Sequence, residues 1–254
     1  MRDSGVILDI VRAVRVPEDG IVVEIGAGTG QLTEGLLGAG LQVAALEVEP
    51  RLVEHLKRRF ARQPGLRVVE SDARETDYAE VVAGKPFAVA GNLPYFAANP
   101  ILRHLLESPA SPSDIVIMVQ REVAQRIAAK PGKLSLLGVS VQVYAEPEML
   151  FDVPPEAFDP PPKVWSSVLR LVPRPAPLVP QVDNRRFFDL VVKTFRNPRK
   201  HLHNSLAMGV TLGKASAGEA LARAGIDPMR RPETLTIAEW LNLLRATEEV
   251  REGA

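Results

Sequence analysis

With 254 residues, 46% of them hydrophobic and 24% charged, the chain is long enough for one large domain or a large and a small one, and disorder over most of its length is excluded. Basic and acidic residues number 31 each, so the net charge of zero excludes wholesale electrostatic attraction to a polyanion. Cysteine is absent, which excludes disulfides, thiolate metal sites and a cysteine nucleophile.

In chain order, Val6, Ile7, Ile10, Val11 and Val14 fall on one helical stripe. Ile21–Ile25 reads as a short buried strand, followed by a glycine turn and a helix carrying Leu32, Leu36 and Leu37. Residues 41–46 form a second strand, and Leu52, Val53, Leu56 and Phe60 stripe the next helix. Further strands are predicted at 66–69, 87–90 and 115–119. This alternation predicts an α/β, Rossmann-like parallel sheet covered on both faces. Leu137, Val139, Val141 and Val143 alternate as a strand would. Prolines cluster at 154–162 and again at Pro173, Pro175, Pro177 and Pro180, and the second cluster cannot sustain a helix or a central strand. A domain boundary is placed there, giving residues 1–174 and a small all-helical domain at 178–254, with Phe187, Phe188, Leu190, Val191 and Trp240, Leu241, Leu244 as helical patterns. No apolar run approaches the roughly 18 residues of a membrane span. The first residues carry no signal-peptide core, so a cytoplasmic protein without membrane attachment is expected.

The chemistry begins at Glu24-Ile25-Gly26-Ala27-Gly28-Thr29-Gly30. A dinucleotide fingerprint would need Gly-x-Gly-x-x-Gly and a phosphate loop Gly-Lys-Ser/Thr, and neither spacing is met. Glu24-x-Gly26-x-Gly28-x-Gly30 instead resembles the first motif of Rossmann-like methyltransferases. Glu47 ends the second strand, where a carboxylate can accept both hydroxyls of a ribose. Asp72, followed by Ala73, ends the third, where it can accept from an adenine amino group. These groups fit S-adenosylmethionine, at the carboxyl ends of strands where open α/β sheets bind ligands. The fourth strand ends in Asn92-Leu93-Pro94-Tyr95. The Asn92 oxygen and the Leu93 or Pro94 carbonyl can accept both hydrogens of an exocyclic amine, and Tyr95 offers a ring on which an unstacked base can lie.

Residues 183–231 carry ten Lys/Arg against four Asp/Glu, a lopsided segment that can grip phosphates, with Arg196, Arg199, Lys200, His203, Arg230 and Arg231 as the candidate RNA contacts. A solvated helical face is the competing account of the same charges. His201 and His203, two residues apart, point in different directions on a helix, so no metal site is expected.

Over almost its whole length the sequence resembles the KsgA/RsmA family, the 16S ribosomal RNA adenine dimethyltransferases. The resemblance rests on Glu24-Ile25-Gly26-Ala27-Gly28, Asn92-Leu93-Pro94-Tyr95, Gln120-Arg121-Glu122-Val123 and the stretch Val153-Pro154 through Lys163-Val164. Arg199-Lys200-His201-Leu202-His203-Asn204-Ser205-Leu206 and Arg231-Pro232-Glu233-Thr234-Leu235-Thr236 complete it. It implies transfer of two methyl groups to N6 of each of two adjacent adenosines in the 3′-terminal hairpin loop of small-subunit ribosomal RNA, within the assembling 30S subunit. It assigns Glu24, Gly26, Gly28, Glu47, Asp72, Ala73 and Asn92 to the cofactor. Asn92, Leu93, Pro94 and Tyr95 fall to the reacting base, with Phe158 as the aromatic opposite Tyr95. It implies a helix over residues 134–145 in place of the strand pattern there; nothing in the sequence demands a dimer, and a monomer is expected.

Members of the family carry a basic leading stretch with a Gln-Asn-Phe-Leu-like motif, of which Asp3 is the last position matched, so cofactor binding is expected to be weaker in the sequence as given. Two other readings stay open. One is the antibiotic-resistance enzyme that dimethylates an adenine of large-subunit RNA, against which Leu93 and the run Pro160-Pro161-Pro162-Lys163-Val164 count. The other is a non-catalytic ribosome-assembly or transcription factor on the same fold, against which Glu47, Asp72, Asn92 and Tyr95 count.

Overall fold

The structure, a computed structural model, describes residues 2–94, 97–210 and 212–252. They divide into two compact units: the chain up to Gln125 together with Ala145–Arg174, and Arg126–Tyr144 together with the chain from Pro175 onward. Residues 126–144, placed by the proline boundary in the first domain, thus belong to the second unit. Hydrogen bonds show why: Gly132 and Leu134 N–H both donate to the Glu233 carbonyl, and Leu178 N–H to that of Val143.

The first unit is built on a seven-stranded sheet in the order β3-β2-β1-β4-β5-β7-β6, comprising β1 (Ile21–Ile25), β2 (Val43–Glu47), β3 (Leu66–Glu70), β4 (Phe87–Asn92), β5 (Ile115–Gln120), β6 (Ala145–Val153) and β7 (Ser166–Pro173). The first five strands run parallel, and their order reverses between β1 and β4. Right-handed crossovers place helices on opposite faces on either side of such a reversal and leave a crevice at the strands' carboxyl ends. β1 and β2 are buried at every position, the near-continuous apolar pattern of strands covered on both faces.

The sheet is mixed, which corrects the all-parallel expectation: β7 pairs antiparallel with β5, and β6 antiparallel with β7. Pro147 and the proline clusters on either side disguised these strands. A proline is tolerated in β6 because it is an edge strand, with β7 as its only partner in the sheet.

Helix α1 (Ser4–Ala13) precedes β1, and α2 (Gln31–Gly38), α3 (Pro50–Arg59), α4 (Tyr78–Val82), α5 (Ala98–Glu107) and α6 (Arg121–Ile127) follow in the chain between the strands. Asp3 caps α1, accepting from Gly5 and Val6 N–H at 2.8 and 3.2 Å. α1 turns Ile10 and Val11 onto a core shared with Val22, Leu32 and Leu36. Burying each such side chain contributes roughly 1.5–3 kcal/mol. Arg170 of β7, almost fully buried, lies 3.2 Å from Asp114 and donates to the Ala13 carbonyl, tying the end of α1 to the far half of the sheet.

The second unit is helical: α7 (Leu136–Gln142), α8 (Asn184–Phe195), α9 (Leu202–Gly209), α10 (Lys214–Arg223) and α11 (Ile237–Glu252). The helix implied at 134–145 is present as α7, with the Ser135 hydroxyl accepting from Gly138 N–H at 3.1 Å. Trp240 is fully buried, its ring centroid 5.7 Å from that of Phe195. Thr236 and Glu239 form a reciprocal capping box at the start of α11: Glu239 N–H donates to the Thr236 hydroxyl at 3.1 Å, and Thr236 N–H to the Glu239 carboxylate at 2.7 Å. Among the described residues no helix is long and apolar enough to cross a membrane.

Candidate active site

Strand register aligns the ends of four neighbouring strands. Ile25 lies opposite Leu46 on one side and Gly91 on the other, and Glu47 opposite Glu70. A Cβ at Gly91 would stand 2.6 Å from the Ile25 carbonyl oxygen, so glycine is what lets β4 close against β1 and bring Asn92 beside the turn. That turn passes through positive φ at Gly26, Gly28 and Gly30 (73°, 58° and 88°), where side chains are strained.

A cavity of about 680 Å³ opens at these strand ends, within the size range of small-molecule sites. It brings together eight of the eleven residues assigned to cofactor and base: Gly26, Glu47, Asp72, Ala73, Asn92, Leu93, Pro94 and Phe158. Glu24 and Gly28 do not line it. The eleventh, Tyr95, lies outside the described residues.

Glu47 is buried, and its carboxylate is fixed by backbone: one oxygen accepts from Gly28 N–H at 2.8 Å, the other from Val48 and Glu49 N–H at 2.9 and 3.0 Å. Gly28 therefore acts on the site indirectly, by orienting Glu47. Asp72 sits in a loop pinned by Glu75 and Thr76 N–H donating to its carbonyl and by the Tyr78 hydroxyl donating to that of Ala73 at 2.9 Å. The Arg74 guanidinium grips the Asp72 carboxylate at 2.5 and 3.0 Å and holds its pKa below the usual carboxylate range. Arg74 lines the cavity, and sequence reasoning missed it; an arginine two residues past a strand-end acid was the available signal.

Asn92 is half-buried, and its side-chain amide makes no hydrogen bond among the described residues. An amide with no internal partner, at the mouth of an apolar cavity, is free to accept from a ligand's amine. Phe158, Pro160 and Pro162 form an apolar wall. Behind Phe158, the Ala157 carbonyl accepts from both Arg2 and Asp3 N–H, at 2.7 and 3.1 Å.

Glu24 is held within the sheet. It is 1% exposed inside β1, accepts from the Thr33 hydroxyl of α2 at 2.6 Å, and burial raises its pKa to about 7. Its contact braces the turn from behind.

In the helical unit the basic candidates separate. Arg196, Arg199, Lys200 and Arg231 are exposed and form no ion pair among the described residues. Leu202 N–H donates to the Arg230 carbonyl and His203 N–H to that of Pro228, so the backbone sets the 199–203 turn beside Arg231. Arg230 itself is committed: its guanidinium holds both oxygens of Glu239 and the Thr234 carbonyl. The His203 ring lies 2.9 Å from the Lys214 carbonyl.

Comparison with known proteins gives three findings. The family model described as ribosomal RNA adenine dimethylase matches residues 1–249. The ribosomal RNA small subunit methyltransferase A of Synechococcus sp. (strain JA-3-3Ab) is 41% identical over 253 residues, 96% of this chain and 88% of that protein. Among solved structures, a dimethyladenosine transferase from Plasmodium falciparum superposes with a TM-score of 0.82 at 25% identity, covering 99% of this chain and 98% of that one. The 23S ribosomal RNA methyltransferase ErmE gives 0.73 at 27% identity, with 98% and 99% covered.

Proposed function

The chain belongs to the ribosomal RNA adenine dimethylase family, and from that premise we propose that it dimethylates N6 of two adjacent adenosines in the 3′-terminal hairpin loop of small-subunit ribosomal RNA, using S-adenosylmethionine, during assembly of the 30S subunit in the cytoplasm. One observation carries this function: a single cavity at the sheet's carboxyl edge gathers Glu47, Asp72, Asn92 and Phe158. The donor set fits the cofactor, since two carboxylates face a cavity with apolar walls and the Glu47 oxygen that accepts only from Gly28 N–H retains a lone pair for a ribose hydroxyl. When bound, S-adenosylmethionine supplies a methyl group already activated on a sulfonium.

The protein's own task is therefore alignment more than acid–base chemistry. The free oxygen of Asn92 and the carbonyl of Leu93 or Pro94 accept the two hydrogens of the adenine amine and turn its lone pair toward the cavity. Phe158 gives the extruded base an apolar face, opposite the position assigned to Tyr95, and Pro94 removes a competing N–H donor. Arg199, Lys200 and Arg231, exposed and without ion pairs among the described residues, supply cations for phosphates. The small-subunit substrate is favoured over the large-subunit alternative by the higher identity of the relative named for the small subunit and by Leu93 in the tetrapeptide. The test is incubation with labelled S-adenosylmethionine and 30S particles lacking the modification, with mapping of the methylated nucleotides. Label on the paired hairpin adenosines is the expected result, and particles left unlabelled would refute the assignment.

A further inference from the structure

The chain has two tryptophans, and they sit in opposite environments. Trp240 is fully buried, whereas Trp165 is 46% exposed next to Val164, itself 43% exposed. A ring of this size is left in water only at a cost, since an aromatic side chain buries 150–250 Å² when it is covered. Trp165 is nevertheless held in place. Its carbonyl accepts from Arg121 N–H at 3.0 Å, and the Arg121 guanidinium lies 5.8 Å from the ring centroid. Arg121 is anchored in turn, 3.3 Å from Asp152, which also accepts from the Ser167 hydroxyl at 2.6 Å. The indole is thus a fixed, solvent-facing plate with a cation against it.

Its position matters. Phe158, Pro160 and Pro162 line the cavity, and the same loop continues through exposed Lys163 to Trp165. Asn92 pairs with Met118 on β5, three residues before Arg121. At about 3.3 Å per residue and 4.8 Å between strands, the Arg121 backbone stands roughly 11 Å from Asn92, and its side chain reaches on from there toward Asp152 of β6. A nucleotide a few positions from the one being methylated falls within that distance, because stacked bases follow one another at about 3.4 Å.

We propose that Trp165, backed by Arg121, is a stacking platform for an unpaired nucleotide flanking the target adenosine, so that the RNA loop is held at two points: in the cavity by its extruded base and at Trp165 by a neighbour. This rests on the reading of the protein as an enzyme acting on an RNA loop. Every base has a π-face, so the platform contributes affinity and placement without demanding a particular sequence, and exposed Lys163 matches the charge of the backbone.

The full chain is titrated with a synthetic hairpin RNA whose loop carries two adjacent adenosines, following tryptophan emission and, with end-labelled RNA, anisotropy. Stacking on Trp165 quenches emission, and Trp165→Leu removes that response while buried Trp240 continues to report a folded chain. Trp165→Leu is expected to bind the hairpin about five- to a hundredfold more weakly, the range for loss of one stacked base, and Trp165→Phe to recover most of it. Replacing the flanking loop nucleotides with abasic units should abolish the quenching in the unaltered chain. Unchanged emission at saturating RNA, or equal affinity of Trp165→Leu, overturns the platform. So does a Trp165→Leu chain that loses affinity for 30S particles but not for the hairpin, which would assign Trp165 to a protein partner. Methyl incorporation into unmodified particles is read in parallel. Its failure in the unaltered chain strikes the underlying enzymatic assignment, whereas incorporation without quenching strikes the platform alone.

Discussion

At the carboxyl edge of the sheet, Asn92 presents an amide with no partner among the described residues; in the helical unit, Arg230, one of a run of similar basic residues, is already committed to Glu239 and Thr234. The contrast separates two ways in which a residue acquires a role. A strand-end residue takes its position from backbone register, so its type and place in the strand nearly define what it can touch. A basic residue in a loop takes its role from whatever acid or carbonyl lies within reach. Arg230 and Arg231 are adjacent in sequence, yet one fastens a capping box and the other is exposed.

The sharpest way to break this contrast is Asn92→Ala. If the amide is free in order to orient the reacting amine, methyl incorporation into unmodified 30S particles should fall by at least about a hundredfold while particle binding stays nearly intact. Retained incorporation would mean that the carbonyls of the turn suffice.

Glu24 is the exception within the sheet, a strand residue whose chemistry is spent internally. Burial raises its pKa to about 7 from 4.5, so it contributes stability fully present below about pH 4.5 and lost as pH rises through about 7. In thermal unfolding followed between pH 5 and 8, Glu24→Gln should remove up to roughly 3 kcal/mol of that pH dependence, at 1.36 kcal/mol per pH unit. Parallel curves for the two chains would show that Glu24 ionises freely in place.

A smaller effect distinguishes the neighbouring arginines. Arg230→Met removes charge-assisted bonds to Glu239 and should destabilise by about 1–2 kcal/mol, whereas Arg231→Met should stay within about 0.5 kcal/mol of the parent chain. Denaturant titration of both variants would expose an error in either assignment. The least change is expected from Arg199→Ala with Lys200→Ala: unfolding unaltered, and a log–log salt dependence of RNA binding shallower by about one to two. An unchanged slope would return these side chains to the solvated-face account.

The strand–turn–helix succession was legible because its strands are buried at nearly every position and its turn is spelled in glycine. Register carries Glu47 and Asn92 to the edge where the cavity opens, and the turn that follows Glu70 adds Asp72. Strands β6 and β7 escaped because an edge strand can hold Pro147, and edge placement is a tertiary fact. The alternating Leu137, Val139, Val141 and Val143 mimicked a strand although the segment is helical, with Val139 and Val141 buried within α7. Arg74 was missed, and the burial of Glu24 was not foreseen, for one reason: composition records that a charge exists but not what it already holds.

The bonds from Arg2 and Asp3 to Ala157 place the segment leading into α1 one residue from Phe158. Handling of the protein should respect that adjacency. A change that displaces Arg2 and Asp3 would tug on the hydrophobic wall of the pocket, and turnover numbers measured on such a variant would carry that signature.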